Sequence, residues 1–380
     1  MNAPIYLDHN ATTPIAPEVV EAMQPFLFGS FGNPSSSHAF GKVAADALAR
    51  ARHQVAALIA AHDDEIFFTA NATEANNLAI LGAAAASGRP GRLVVSTVEH
   101  PAVSEPARHL REQGWTLEEI AVDADGVVDL KDAACKIVFG TQLVSVMHSN
   151  NEVGTIQPIS ALAELARGSD ALLHTDASQS VGKVAVDVNA LGVDLLTIAG
   201  HKLYAPKGVG ALYVRRGTEI RNIVFGAGQE RGLRPGTENV AFAVALGAAA
   251  QLASADLATR EASTRDLRDR LHSRLKESVP GLRLNGHATA RLPNTLNVSF
   301  PDVDGAQLLA GCPEIAASTG SACHSQSHAV SGVLGAMGRT YTDARGAVRL
   351  SLGRGTSADQ VDRAAQLLAY AWKSIVNHVE

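Results

Sequence analysis

The chain has 380 residues, 46% of them hydrophobic and 18% charged, with a net charge of -6. That is long enough for a large core and more than one compact unit, and its composition is that of a soluble globular protein. The mildly acidic balance gives no electrostatic basis for direct nucleic-acid or membrane binding, and three cysteines without a CxxC pair exclude a disulfide scaffold, a zinc knuckle and a thioredoxin-type site.

The first residues, MNAPIYLDHN, lack a basic region followed by an apolar stretch, so the expectation is a cytoplasmic protein without a secretory signal. Short apolar runs then follow in order: Glu65–Thr69, Leu93–Ser96, Leu143–Met147, Ala171–His174, Leu195–Ile198 and Gly210–Val214. Each reads as a strand. Helical patterns lie between several of them, over Glu74–Ser87, Ala102–Gln113 and Ile159–Arg167. This alternation predicts an α/β fold with a mostly parallel sheet covered on both faces. From Thr237 to Lys276 the pattern is helical and reads as a long connection into a second unit. Its most apolar part, Val240–Ala255, is Ala-rich and too short for a convincing membrane span. The second unit carries strands over Thr295–Phe300 and Val348–Leu352 and a last helix over Ser357–Val379.

In a parallel sheet, ligands sit at the carboxyl ends of the strands. Four successive strand ends here deliver His100; His148 with Asn150 and Asn151; Asp176 with Gln179; and His201 with Lys202. A lysine can form a Schiff base with an aldehyde, and a buried carboxylate can keep a ring nitrogen protonated. Together these are a protein's contribution to pyridoxal-phosphate catalysis. The segment Asn71-Ala72-Thr73-Glu74 opens a helix after the strand Glu65–Thr69. Its free amides suit a phosphate, although Thr73 also reads as a plain N-cap. No GxxxxGK[ST] loop or GxGxxG spacing is present. A metal site from His100, His174 and His201 is the alternative, without a HExxH pairing behind it.

Ordered motifs run nearly end to end: YLDHNATTP, FGNPSS, NATEANNLAI, TVEHPAV, HSNNEVGTIQPI, HTDASQSVGK, GHKLYAPKGVGALYVRRGT, QERGLRPGTENV, PNTLNVSF, STGSACHS and VRLSLGR. In these the chain resembles the cysteine desulfurases of the nitrogen-fixation and housekeeping iron–sulfur type. The resemblance implies a fold type I pyridoxal-phosphate homodimer with a smaller α+β C-terminal domain. The expected division is a large cofactor-binding domain over 15–255, and a small domain of 1–14 plus 256–380 carrying the catalytic cysteine loop.

By the same resemblance, Lys202 is the Schiff-base lysine, Asp176 pairs with the ring nitrogen and His100 stacks over the ring. Asn151 and Gln179 lie near the ring hydroxyl. The Ala72 and Thr73 segment and His201 bind the phosphate, and Thr237 reaches it from the neighbouring subunit. Arg349, helped by Asn33, clamps the substrate carboxylate, a task suited to a planar guanidinium. Cys323 is the sulfur acceptor, in a run of small polar residues, while Cys135 and Cys312 read as structural. The implied reaction converts L-cysteine to L-alanine and leaves a persulfide for an acceptor protein serving iron–sulfur assembly, tRNA thiolation or DNA phosphorothioation. Selenocysteine lyase or another enzyme of the same fold is the alternative. Ala199 departs from the serine common at its position, and Asn71 from the commoner glycine.

Overall fold

The computed structural model describes residues 4–319 and 331–377. Its central seven-stranded sheet has the order Ile66–Thr69, Gly210–Val214, Leu195–Ala199, Leu172–Asp176, Thr141–Ser145, Arg92–Ser96, Thr116–Ile120. From Leu195–Ala199 outward to Thr116–Ile120 neighbouring strands are parallel, whereas Gly210–Val214 is antiparallel to both its neighbours.

Successive side chains on a strand point to opposite faces. Leu93 and Val95 therefore enter one apolar layer with Leu143, Leu195 and Leu212, while Val94 enters the other with Val144, Leu173 and Leu196. Burial on both faces is why these strands read as unbroken apolar runs. The first layer is closed by Ala72–Ser87 and Pro101–Glu112 through Ala75, Leu78, Val103 and Leu110. The second is closed by Ala39–Leu58 and Val240–Ala255 through Leu48, Ala51, Val55, Leu246 and Ala249. These last two helices touch closely. A Cβ at Gly247 would lie 2.6 Å from the Ala51 Cα, so only glycine admits this approach.

A separate apolar core lies in the C-terminal part. It gathers Leu271, Leu275, Leu296, Val298, Val348, Leu350, Val361 and Leu368, together with Leu7. Its antiparallel sheet has the order Ala347–Ser351, Thr295–Ser299, Arg283–Asn285, and the short strand Ile5–Tyr6 pairs in parallel with Ile315–Ala316.

Two expectations need correction. The helical stretch from Thr237 onward is two helices, Val240–Ala255 and Leu257–Ser278, bent by 76°. Asp256 breaks the helix at φ -142° and ψ 25° and pairs with Arg260, without a Gly or Pro to announce it. Among the described residues no single helix is long and apolar enough to cross a membrane. The strand Thr116–Ile120 was not anticipated, because TLEEI lacks an apolar run. It is an edge strand with an exposed side, tied to its neighbour by the Arg92–Glu118 ion pair at 2.9 Å.

Candidate active site

The carboxyl ends of the parallel strands hold the candidate site. Asp176 is the last residue of Leu172–Asp176 and is buried. Its Oδ2 accepts from Asn76 Nδ2 at 2.7 Å and its Oδ1 from the Ser178 amide at 2.9 Å. Asn76 projects from Ala72–Ser87 and is 0% exposed. The strand and the helix therefore fix both carboxylate oxygens.

His100 caps Pro101–Glu112, with Nδ1 accepting from the Ala102 amide at 3.1 Å. That bond puts the ring's proton on Nε2. Partial removal from water holds its pKa below the ordinary value, opposed by the Asp176 carboxylate and assisted by the Lys202 ammonium. His100 thus lies within the fields of both groups.

Lys202 ends the 3₁₀ turn Gly200–Lys202 that follows the strand Leu195–Ala199. Its Nζ donates to the backbone carbonyls of Asn10 and Ala11, the latter at 2.7 Å. His201 Nδ1 lies 3.1 Å from Thr12 Oγ1 of the same segment. Desolvation, then Lys202, Lys207 and Lys183, push its pKa down to about 4, so it is neutral at physiological pH.

The helix Ala72–Ser87 is capped by Asn71, whose Oδ1 accepts from the Glu74 amide at 2.8 Å. The N-cap is therefore Asn71, and Thr73 is the second helical residue. Among the described residues the Thr73 hydroxyl has no hydrogen-bond partner, and the first-turn amides of Ala72 and Thr73 lack intrahelical acceptors. Gly210 lets this helix start approach the sheet, since a Cβ there would lie 2.8 Å from the Asn71 carbonyl carbon and 2.7 Å from the Ile198 oxygen.

Arg349 lies mid-strand in Ala347–Ser351 and its side chain is 3% exposed. Nη2 donates to Asp8 Oδ1 at 2.7 Å and Nη1 to the Asn151 carbonyl at 3.1 Å. The buried Nε has no acceptor among the described residues. Gln179 Nε2 donates to the Asn10 carbonyl at 3.0 Å.

His174 is not at the site's mouth. It is buried inside the sheet between Ser145 Oγ at 2.8 Å and Thr197 Oγ1 at 3.1 Å. Among the described residues no three His, Cys, Asp or Glu side chains converge to hold a metal ion. Asn33 is exposed, and its Oδ1 accepts from the Ser35 amide rather than facing Arg349 with a hydrogen bond. Thr237 is exposed and shares a cavity with Thr69, Ala70 and Arg234 of its own chain.

Cys323 lies outside the described residues. Cys312 is buried, and desolvation lifts its thiol to about 11, so it is inert. Cys135, expected to be structural, is exposed on the helix Leu130–Lys136.

The family model described as aminotransferase class-V matches residues 5–364. The chain belongs to the class-V aminotransferase family. It is 44% identical over 366 residues to a cysteine desulfurase of Trichormus azollae, covering 96% of this chain and 92% of that one. A solved NifS-like protein superposes with a TM-score of 0.91 at 35% identity, covering 97% of this chain and 99% of the other. SspA, solved in complex with cysteine, superposes with a TM-score of 0.80 at 34% identity, over 91% of this chain and 98% of its own.

The cofactor of this family member is pyridoxal 5'-phosphate. The residues fit it: an amine on one strand end, a doubly anchored carboxylate on the next, and a helix start with unused donors.

The motifs quoted from the sequence contain four further residues whose parts only the structure reveals. Asn10, Asn76, Asp8 and Lys183 hold the groups named above. Asn76 had a signal, being a polar residue on the otherwise Ala- and Leu-rich buried face of its helix.

Proposed function

We propose that this chain is a cysteine desulfurase that converts L-cysteine to L-alanine and carries the sulfur as a persulfide on Cys323. The observation carrying this reading is the convergence of Lys202, Asp176 and His100 at the carboxyl ends of the parallel strands, beside a buried arginine with an unused donor. When bound, pyridoxal phosphate supplies an electrophilic carbon for the substrate amine and an electron sink. The Ala72 and Thr73 amides, the Thr73 hydroxyl and His201 would hold its phosphate, Asp176 its ring nitrogen and His100 one ring face. Asn151 and Gln179 would face the ring hydroxyl.

Arg349 holds the substrate carboxylate, which orients the Cα–H bond toward Lys202 Nζ. Lys202 Nζ takes that proton. The Cys323 thiolate then bonds to the substrate sulfur as the carbon–sulfur bond breaks. The released electron pair stays with Cβ, which takes a proton, and Lys202 Nζ returns a proton to Cα, so the products are L-alanine and a persulfide on Cys323. A thiolate is required because the thiol is a weak nucleophile. Asn33 joins the carboxylate clamp in this reading by turning from Ser35.

A second copy completes the enzyme, each Thr237 reaching the other's phosphate. The exposed side chains of Leu27, Phe28, Phe31 and Phe40, close together in the chain, support such an apolar contact. The division into 15–255 and 1–14 plus 256–380 is proposed with it, on the strength of the separate C-terminal core. The persulfide passes to an acceptor protein in the cytoplasm, for iron–sulfur assembly or another sulfur-inserting pathway.

The test is Cys323→Ala. Alanine formation from L-cysteine falls to background while cofactor binding is kept. Desulfuration continuing at the parent rate would refute the assigned role.

A further inference from the structure

Lys183 lies in the turn after Gln179, partly buried, and has no place in the reaction above. Its Nζ donates to Gln179 Oε1 at 2.7 Å and to Asn10 Oδ1 at 3.3 Å. Both acceptors are neutral, and among the described residues no carboxylate pairs with it. Holding an amine partly out of water costs free energy that an apolar side chain would not.

The arrangement has a structural return. The two ends of a glutamine amide are nearly alike in shape, and an ammonium can only donate. Lys183 therefore dictates that Oε1 faces it and Nε2 faces the opposite way. One Nε2 hydrogen then bonds the Asn10 carbonyl at 3.0 Å, leaving the other for a ligand.

Asn10, which is 1% exposed, is the hub of this arrangement. Its carbonyl also accepts from Lys202 Nζ. Its Nδ2 donates to Thr295 Oγ1 at 2.8 Å and to the Asn151 carbonyl at 3.1 Å, and its Oδ1 accepts from Asn294 at 3.0 Å. One asparagine thus links Lys202, Gln179 and Asn151 to the C-terminal sheet.

We propose that Lys183 is a positioning residue that fixes the amide of Gln179 and, through Asn10, the resting place of the Lys202 amine. The proposal rests on the reading that Gln179 faces the ring hydroxyl of the cofactor. Desolvation and the charges of Lys202 and Arg349 push the Lys183 pKa well below the ordinary lysine value. Among the described residues, the other ionisable groups within its field are His9 and His201, both held neutral with pKa values of about 4.

The experiment compares Lys183→Met, Lys183→Arg and Gln179→Ala in the full chain loaded with pyridoxal phosphate. Two quantities are read besides activity: cofactor affinity, and the pH midpoint of the bound cofactor's visible absorption band. Lys183→Met weakens cofactor binding by about tenfold, the scale of losing a hydrogen bond to a charged group, and shifts the band's midpoint in the same direction as Gln179→Ala. Lys183→Arg restores the midpoint, because the adjoining cavity beside His9, Gly182 and Tyr204 admits the larger head. Should Lys183→Met not fold, Lys183→Gln gives the same direction of shift. A folded Lys183→Met or Lys183→Gln protein with an unmoved midpoint, while Gln179→Ala moves it, overturns the proposal and leaves the reading of Gln179 intact. An unmoved midpoint in Gln179→Ala overturns both.

Discussion

Asp8 and Arg349 stand 341 residues apart in sequence and are joined at 2.7 Å, with the arginine buried and the aspartate partly open to solvent. The guanidinium proposed to take the substrate carboxylate therefore already holds a carboxylate of its own. Asp8 aims it and Asn151 fixes its second arm, while Nε faces no acceptor. Lysine offers a point charge that cannot reproduce this fork. Arg349→Lys raises the KM for L-cysteine by roughly 10- to 100-fold, the equivalent of about 1.4–2.8 kcal/mol, and leaves the cofactor's visible band in place. Steady-state kinetics beside an absorption spectrum check this.

The start of Ala72–Ser87 is the second test. The Thr73 hydroxyl is spare because Asn71 performs the capping. Thr73→Val keeps the shape and removes the donor. Cofactor affinity falls by roughly tenfold, as expected for one hydrogen bond to an anion, with little change in Tm. Titration of the cofactor-free protein with pyridoxal phosphate measures it.

Asn76 supplies the third. Asn76→Leu strips Asp176 Oδ2 of its donor inside the fold. The carboxylate that faces the ring nitrogen then loses its fixed orientation, and kcat falls by about 10-fold or more. Removing the acid itself with Asp176→Ala costs more, and the difference between the two variants measures what orientation alone contributes.

Much of this site was legible in the sequence, and the reason is topological. Lys202, Asp176 and His100 follow apolar runs, and parallel strands must present their carboxyl ends together. Their helpers were not legible in the same way. Asn10, Asp8, Thr295 and Asn294 meet only because the N-terminal segment threads between the large sheet and the C-terminal one, a long-range contact that no local pattern encodes. The 76° bend at Asp256 was hidden for the converse reason, since both flanking segments are good helix formers and packing, not propensity, decides the break. Cys323 lies outside the described residues, so its role rests on the sequence.

Stability responds to pH in two opposed ways. Desolvation raises the Glu99 carboxyl to about 8 from an ordinary 4.5, while Ser96 and the Met147 amide hydrogen-bond one of its oxygens. Between these values the folded protein holds a proton that the unfolded chain has lost. This group's contribution is full below about 4.5 and disappears as pH rises through about 8. His148 and His174, buried and held at about 4, act in the other sense, their contribution being present above 6.5 and lost as pH falls toward 4. Glu99→Gln therefore flattens the decline of Tm between about pH 5 and 8 and leaves the slope below about pH 4.5 unchanged. Thermal melts across that range would contradict the account if the two proteins gave parallel curves.

The most direct measurement mixes the cofactor-loaded protein with L-cysteine and follows alanine release together with the mass of the peptide containing Cys323. The account requires alanine and a gain of one sulfur atom on Cys323 in the same reaction. Alanine released with no sulfur on that cysteine, or neither product from a protein with its cofactor bound, would contradict it.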